Sequence, residues 1–369
     1  MKRIKVGIIG QGRSGRDIHR FLMETEKEVW DRFEIVAISD PIKERWQYPS
    51  KYPASPKLKC YEDAHEMLKD KRIELVVNAS RTPGHVPLSI EAMKAGFDVL
   101  CEKPAAGTLK EFDAAIAISK KTGKFYNIFQ QSRFRTVFTK IMDVINSGVL
   151  GRISMVKVYY NGFGRRWDWQ TIQDMCAGEL LNTGPHPLDQ CLQFYGDAYP
   201  EKIFCTMDRC LTYGDAEDSI KLVFGGKGHP TIDMEVCKTL YNSDVYLVYG
   251  TQGSLRGTGD TVTWKYYKPE DEIGHTVQKA PLEAAGRMPS YCVEPTPLKF
   301  YEETYKIPER HTWMVPWGVE YYKQLYAALT EGKPMDVKLE QVRRQIRLVE
   351  ECHKMNPLSK KFHLTGERL

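Results

Sequence analysis

The sequence predicts an α/β protein: an N-terminal doubly wound parallel sheet, then a C-terminal α+β domain with a large, open, mostly antiparallel sheet. Three observations predict this. Short apolar runs alternate with helical stretches through the first 130 residues. A glycine-rich turn directly follows the first of those runs. After about residue 131 the apolar runs lengthen and are separated by turn signals rather than helices. The expected division is therefore 1–130 and 131–369, in keeping with the length of the chain.

Ile4 to Ile9, Ile35 to Ser39, Leu75 to Ala79, Val99 to Cys101 and Phe125 to Phe129 are the first-domain strands. Near-continuous apolar strands are buried on both faces, as a parallel sheet covered above and below by helices requires. Helical stretches at 85–96 and 109–123 lie between them, each ending in glycine, the common residue just past a helix C-terminus. A helix at 136–148 leads into a strand at 154–160. Longer strand candidates follow at 201–211, 218–225, 231–238, 244–250 and 261–267. The stretch "GTQGSLRGTGD" reads as a turn, and residues 268–312, rich in Pro and Glu, read as a long surface insertion. Helices at about 317–331 and 338–354 close the chain. One face of the second sheet must be covered by helices, and the other is expected to meet another subunit, giving a homodimer or homotetramer.

The chain has 369 residues, 42% hydrophobic and 27% charged, with a net charge of +5 and no Lys/Arg block, which argues against a nucleic-acid partner. No apolar run approaches the roughly 20 residues that span a bilayer. The nine cysteines include no CxxC pair and no zinc spacing, so no metal is expected. The opening "MKRIKVGIIG" begins a strand at once, without a signal-peptide pattern. The expectation is a cytoplasmic protein with reduced, mostly buried thiols.

"VGIIGQGRSGRDIH" places Gly10, Gly12 and Gly15 in a G-x-G-x-x-G at a strand-to-helix turn, with Arg13 and Ser14 inside it. The first glycine permits the tight turn, the second lets backbone approach a pyrophosphate, and the third allows close helix–strand packing. A second strand ends on Asp40 at the distance suited to an adenosine ribose. Pro41, rather than arginine, follows Asp40, so NAD is expected over NADP, although Lys43 and Arg45 are near.

"DVLCEKPAA" (98–106) ends a buried strand on Glu102, Lys103 and Pro104. Ligands of open parallel sheets bind beyond the carboxyl ends of the strands, and Lys103 lies at such an end. Pro104 biases the residue before it toward extended geometry, which aims the lysine. An amine held beside a nicotinamide can donate to a carbonyl oxygen, or take the proton of a hydroxyl in reverse. Taken alone, E-K-P reads as a surface lysine capping a strand; the glycine fingerprint favours chemistry. In "AGELLNTGPHPLDQ" (177–190), Gly184 and Pro185 start a helix that places His186 at its N-terminus. The positive end of the helix dipole there lowers an imidazole pKa. "GFGRRWDWQ" (162–170) offers Trp167 and Trp169 for sugar C–H faces, and Arg165 and Arg166 for oxygens or a carboxylate.

These segments together, with the "SRTPGH" turn (80–85), resemble the glucose–fructose oxidoreductase / inositol dehydrogenase / MocA family. The likeness is strongest over about the first 200 residues and weaker through "YGTQGSLRG" and "ALTEGKPMDV". The resemblance implies a Rossmann domain, a C-terminal open-sheet domain, oligomers, and NAD(P)-dependent oxidation or reduction of sugars, cyclitols and related polyols. It implies that Lys103 contacts the reacting oxygen and that His186 is general acid/base or orients the substrate. Asp189 becomes a substrate residue beside Trp167 and Arg166 of the residue-level reading, and Ser80, His85, Glu102 and Lys103 join the cofactor site. Where the family often has aspartate four residues before the histidine, this chain has Asn182, entered here as a catalytic candidate. Two alternatives stay open: a relative that keeps NAD bound and uses transient oxidation for glycoside cleavage or elimination, and a non-catalytic NAD-binding regulator.

Overall fold

The computed structural model describes residues 2–48, 51–52, 55–238, 241, 245–279, 292, 297–312 and 314–361. The first sheet is formed by β1 (Ile4–Ile9), β2 (Phe33–Ser39), β3 (Lys59–Tyr61), β4 (Leu75–Asn78), β5 (Asp98–Glu102) and β6 (Tyr126–Phe129). Their order is β3-β2-β1-β4-β5-β6, with every neighbouring pair parallel. The order reverses beside β1, so the carboxyl ends of β1 and β4 open the crevice in which such sheets bind ligands. Burial explains the apolar runs: all four residues of β4 and of β6 are buried, because helices cover both faces. Helix Leu109–Thr122 starts at a capping box in which Thr108 and Glu111 satisfy each other's backbone N–H groups.

The second sheet contains β7 (Ile153–Tyr159), β8 (Lys202–Asp208), β9 (Ser219–Gly225), β10 (Thr231–Cys237), β11 (Val245–Gly250), β12 (Gly253–Gly257), β13 (Thr261–Tyr266) and β14 (Tyr301–Lys306). The order is β14-β13-β12-β11-β7-β10-β9-β8, antiparallel except for the central β7–β10 pair. β9 and β10 alternate buried and half-buried residues along their length, the signature of a sheet with one covered face. Helices Thr136–Asn146, Pro185–Tyr195 and the second half of Leu339–Met355 share the core on that covered face. The opposite face carries Met155, Lys157 and Tyr159 beside Tyr249, Leu247 and Val245.

Three elements depart from the sequence expectation. The "GTQGSLRGTGD" stretch is not merely a turn: Gly253–Gly257 pairs with β11 and β13. Only Leu255 and Gly257 of that strand are buried, so it shows too little apolar alternation to be read. In the expected insertion, Tyr301–Lys306 forms the edge strand β14, whose polar "YEETYK" is what a solvent-facing edge tolerates. Residues 280–291 and 293–296 of that insertion lie outside the described residues. The sequence also gave no sign of β3, a three-residue edge strand.

The closing helices tie the two sheets together. Helix Met314–Glu331 returns to the first domain, burying Tyr321, Tyr322 and Leu325 in the same core as Leu22 and Phe33. Helix Leu339–Met355 gives Val342 and Ile346 to that core, and Leu348, Val349 and Cys352 to the other. A cut at residue 130 therefore divides the sequence more cleanly than it divides the packing. Among the described residues no helix is long and apolar enough to cross a membrane.

Candidate active site

The glycine turn has the shape that a dinucleotide requires. Gly10 has φ +85°, and a side chain there would meet the Ala79 carbonyl at 2.4 Å. A Cβ on Gly15 would lie 1.8 Å from the Gly10 carbonyl oxygen, so this helix approaches the strand as only glycine permits. A Cβ on Gly12 would meet nothing within 4 Å, leaving open space where backbone can approach a pyrophosphate. Gln11 is buried in the same turn, and its Oε1 has no hydrogen-bond partner among the described residues. Arg13 is exposed and Ser14 half-buried. These features fit a bound dinucleotide. Asp40 is buried, and its carboxylate accepts from the backbone N–H of Gln11 at 2.8 Å and of Ile42 at 2.9 Å, with Arg45 3.5 Å away. It therefore shapes the turn whatever else it binds.

Lys103 follows β5 directly, and the Lys103–Pro104 bond is cis. Its Nζ donates to the backbone carbonyl of Asn182 at 2.8 Å. That carbonyl lies at the end of a short helix, Glu179–Asn182, so the lysine bridges the two domains at the crevice. Burial lowers the lysine pKa first; Glu102 and Glu179 push it back up, while Arg13 and Arg166 depress it further. Two cationic side chains from different elements thus favour the neutral amine. His186 stands near the start of helix Pro185–Tyr195, with Nδ1 3.0 Å from the Ser132 hydroxyl. Its pKa falls well below the ordinary value, through burial, then Lys103 and Arg135. Two main-chain bonds fix where that helix starts: the side-chain amides of Gln130 and Gln345 both donate to the Pro185 carbonyl, each at 2.5 Å.

Several residues expected to face ligands are tied into the framework. The buried Asp189 carboxylate is held by Arg133 through Nε at 2.7 Å and Nη2 at 2.6 Å, in a buried ion pair. His85 is buried with Nδ1 2.7 Å from the Pro104 carbonyl and Nε2 3.0 Å from the Ser80 carbonyl, joining the turns after β4 and β5. Glu102 is buried too. Its carboxylate accepts from the Lys103 N–H at 3.0 Å and lies 3.0 Å from His19 Nε2, while His19 Nδ1 lies 2.7 Å from the Tyr322 hydroxyl. Glu102 therefore acts on the lysine from behind. Ser80 donates its hydroxyl to Asn78 Oδ1 at 2.8 Å, beside the glycine turn. The Asn182 side chain faces Gln170, accepting from its Nε2 at 3.2 Å; it is the backbone of Asn182 that holds Lys103. Arg166 reaches the same cluster, donating to Gln170 Oε1 and to Asp168 at 2.6 Å. Trp167 is 78% exposed.

The sequence did not single out Ser132, Gln170, Gln130, Gln345 or His19 as site residues. His19 and Gln170 close stretches already quoted, while Gln130, Ser132 and Gln345 lie outside every motif and reach the crevice from other elements. His19 alone carried a local signal: it lies four residues after Gly15, one helical turn along. Glu179 supplies the carboxylate near Lys103 that Asn182 lacks, and it forms an ion pair with Lys238 at 3.0 Å.

A Rossmann sheet with this glycine turn, opening on a lysine at the end of β5, defines a nucleotide-binding oxidoreductase. The N-terminal part matches the model of an oxidoreductase family with an NAD-binding Rossmann fold over residues 4–129. The following part matches the GFO/IDH/MocA C-terminal domain over 138–256. The chain belongs to the GFO/IDH/MocA oxidoreductase family. It is 27% identical over 266 residues to an uncharacterised oxidoreductase of Schizosaccharomyces pombe, covering 69% of this chain and 70% of that one. It is 30% identical over 189 residues to inositol 2-dehydrogenase of Salmonella typhimurium, a match spanning about half of each protein, 50% and 53%. Among solved structures, an oxidoreductase from Bacillus cereus superposes with a TM-score of 0.76 at 18% identity, over 98% of this chain and 99% of that one. The WlbA dehydrogenase of Bordetella pertussis, in complex with NADH and UDP-GlcNAcA, does so at 0.70 and 17%, over 96% of each chain.

Proposed function

We propose that the protein is an NAD-dependent dehydrogenase or reductase acting on a hydroxyl or carbonyl carbon of a sugar, cyclitol or related polyol. The observation that carries this is the pairing of Lys103 with His186 at the carboxyl edge of the Rossmann sheet, both displaced toward their neutral forms. A bound nicotinamide dinucleotide supplies the hydride acceptor or donor. Lys103 takes the proton of the reacting hydroxyl, or returns it to the carbonyl oxygen, because its amine is fixed by the Asn182 carbonyl and keeps a lone pair when neutral. His186, neutral near pH 7, accepts or donates a hydrogen bond to the same or an adjacent hydroxyl, with Ser132 orienting its ring. The names of relatives support the substrate class: one is inositol 2-dehydrogenase and another is an NADP⁺-linked scyllo-inositol 2-dehydrogenase of Bacillus subtilis. A polyol panel with NAD⁺, read as net nicotinamide reduction, tests the reading; product without net reduction would favour the NAD-retaining elimination. The open face of the second sheet, with Met155, Leu247 and Val245 on it, supports assembly as a homodimer or homotetramer.

NAD is expected to bind at least tenfold more tightly than NADP, because the Asp40 carboxylate repels a 2′-phosphate. Titration of both by tryptophan quenching checks this. Arg45 beside Asp40 is the group that would rescue NADP, so equal affinities that become unequal in Arg45→Ala would reassign the cofactor.

Asn182→Asp is expected to move the midpoint of the pH–rate curve for oxidation upward, by up to about one unit or ~1.4 kcal/mol. A carboxylate there favours the charged lysine, so its pKa rises. Oxidation needs the neutral amine, and the rate at pH 7 therefore falls. Glu179→Gln removes a charge that raises the lysine pKa, and its midpoint should move the other way. Unmoved midpoints in both variants would mean that Lys103 is not the group titrating.

A further inference from the structure

Exposure alternates along the segment between β7 and Gln170: Phe163, Arg165 and Trp167 are exposed, while Gly164 and Arg166 are half-buried. Arg166 turns in toward Gln170 and the Lys103 cluster, and its neighbours on both sides form an outer shelf. Arg165, Trp167 and Tyr213 line an open cavity of about 370 Å³ there. That is the lower end of the range of small-molecule sites, enough for one sugar-sized group. The Tyr213 backbone N–H donates to the Arg166 carbonyl at 2.8 Å, which latches the two walls together.

Two properties of the shelf, at Trp167 with Phe163 and at Arg165, have no structural use among the described residues. Trp167 is 78% exposed and Phe163 59%, so neither ring is buried in a core. The Arg165 guanidinium donates to the Tyr213 hydroxyl and lies 5.2 Å over its ring, but among the described residues no carboxylate pairs with it. Its neighbours differ: Arg166 is paired with Asp168, and Lys238 with Glu179. An arginine braced on an aromatic ring, with its charge unmatched, is set to take a carboxylate or phosphate in fork geometry.

We propose that this shelf is an outer subsite for an acidic group on the substrate, a carboxylate or phosphate carried on the sugar away from the reacting carbon. Trp167 and Tyr213 cover the C–H face of the ring and Arg165 holds the anion. The proposal rests on Lys103 marking the reacting carbon, since Arg166 and Gln170 connect shelf and lysine through Asn182.

The test is calorimetric binding to the NAD⁺-loaded protein at low ionic strength. Matched probes separate the two sources of charge: glucuronate and galacturonate, glucose 6-phosphate and glucose 1-phosphate, each against its neutral parent. At least one acid should outbind its parent tenfold or more. Arg165→Gln should abolish that preference, and Trp167→Ala should weaken acid and parent alike. Arg165 is exposed, so its replacement leaves the fold intact. If no acid outbinds its parent, or if the preference survives Arg165→Gln, the subsite is wrong. Because binding is read apart from turnover, an acid preference without nicotinamide reduction would contradict the dehydrogenase reading and leave the shelf standing.

Discussion

Lys103→Ala is expected to lower the turnover rate for polyol oxidation by about 10² or more while NAD affinity stays within a few-fold. The size follows from what a positioned proton acceptor contributes, and the selectivity from where the side chain goes. Lys103 Nζ donates to the Asn182 carbonyl across the crevice, on the side of the second domain. Losing that hydrogen bond costs only about 1 kcal/mol of stability, so the variant should fold and bind cofactor. Lys103→Arg separates charge from chemistry. Guanidinium keeps the positive charge at any working pH and cannot serve as base, so it should be nearly as inactive as alanine. A lysine of merely structural value would tolerate arginine and would lose cofactor binding and turnover together. The pH dependence has a definite sign. Burial, Arg13 and Arg166 hold the lysine pKa below its ordinary value, so the oxidation rate should rise with pH at a lower midpoint than a free lysine would give.

Asp189→Ala is expected to cost about 3–5 kcal/mol of stability, the loss typical when one partner of a buried ion pair is removed. Both groups are more than nine-tenths buried, and Arg133 contacts Asp189 through two parallel bonds. Its remaining Nη1 reaches the Asp336 carbonyl and Gln341 Oε1. The pair thus ties the segment after β6 to helix Pro185–Tyr195 and to the approach to the last helix. Removing the carboxylate leaves a guanidinium buried without its counter-charge. Arg133→Met combined with Asp189→Leu should recover much of the loss, since both charges then go. Chemical denaturation of the two variants beside the unchanged protein measures this. A substrate residue would instead raise KM with stability unchanged.

The sequence carried most of what positions the site and less of what tunes it. Gly10, Gly12, Gly15, Lys103 and His186 stand out because each sits at a strand end or helix start that local pattern marks. What the sequence could not show for Asp189, His85 and Glu102, which it places toward ligands, is their partners within the chain, remote in sequence: Arg133, the Pro104 carbonyl, and His19 with Tyr322. A polar residue beside a motif looks functional until its buried partner is known. Asn182 shows the same limit at finer grain: residue type drew attention to its side chain, whereas its carbonyl holds the lysine. In the fold, β12 and β14 escaped notice because a strand bounded by glycine and an edge strand rich in glutamate lack apolar alternation.

The most direct test of the proposed chemistry is a single turnover of the purified protein with saturating NAD⁺ and a polyol that it binds, deuterated at the oxidised carbon. The account predicts net formation of reduced nicotinamide, with deuterium on it, at a rate that rises with pH through the lysine's depressed pKa and collapses in Lys103→Arg. Unchanged nicotinamide with product formed, or a rate that Lys103→Arg leaves intact, would contradict it.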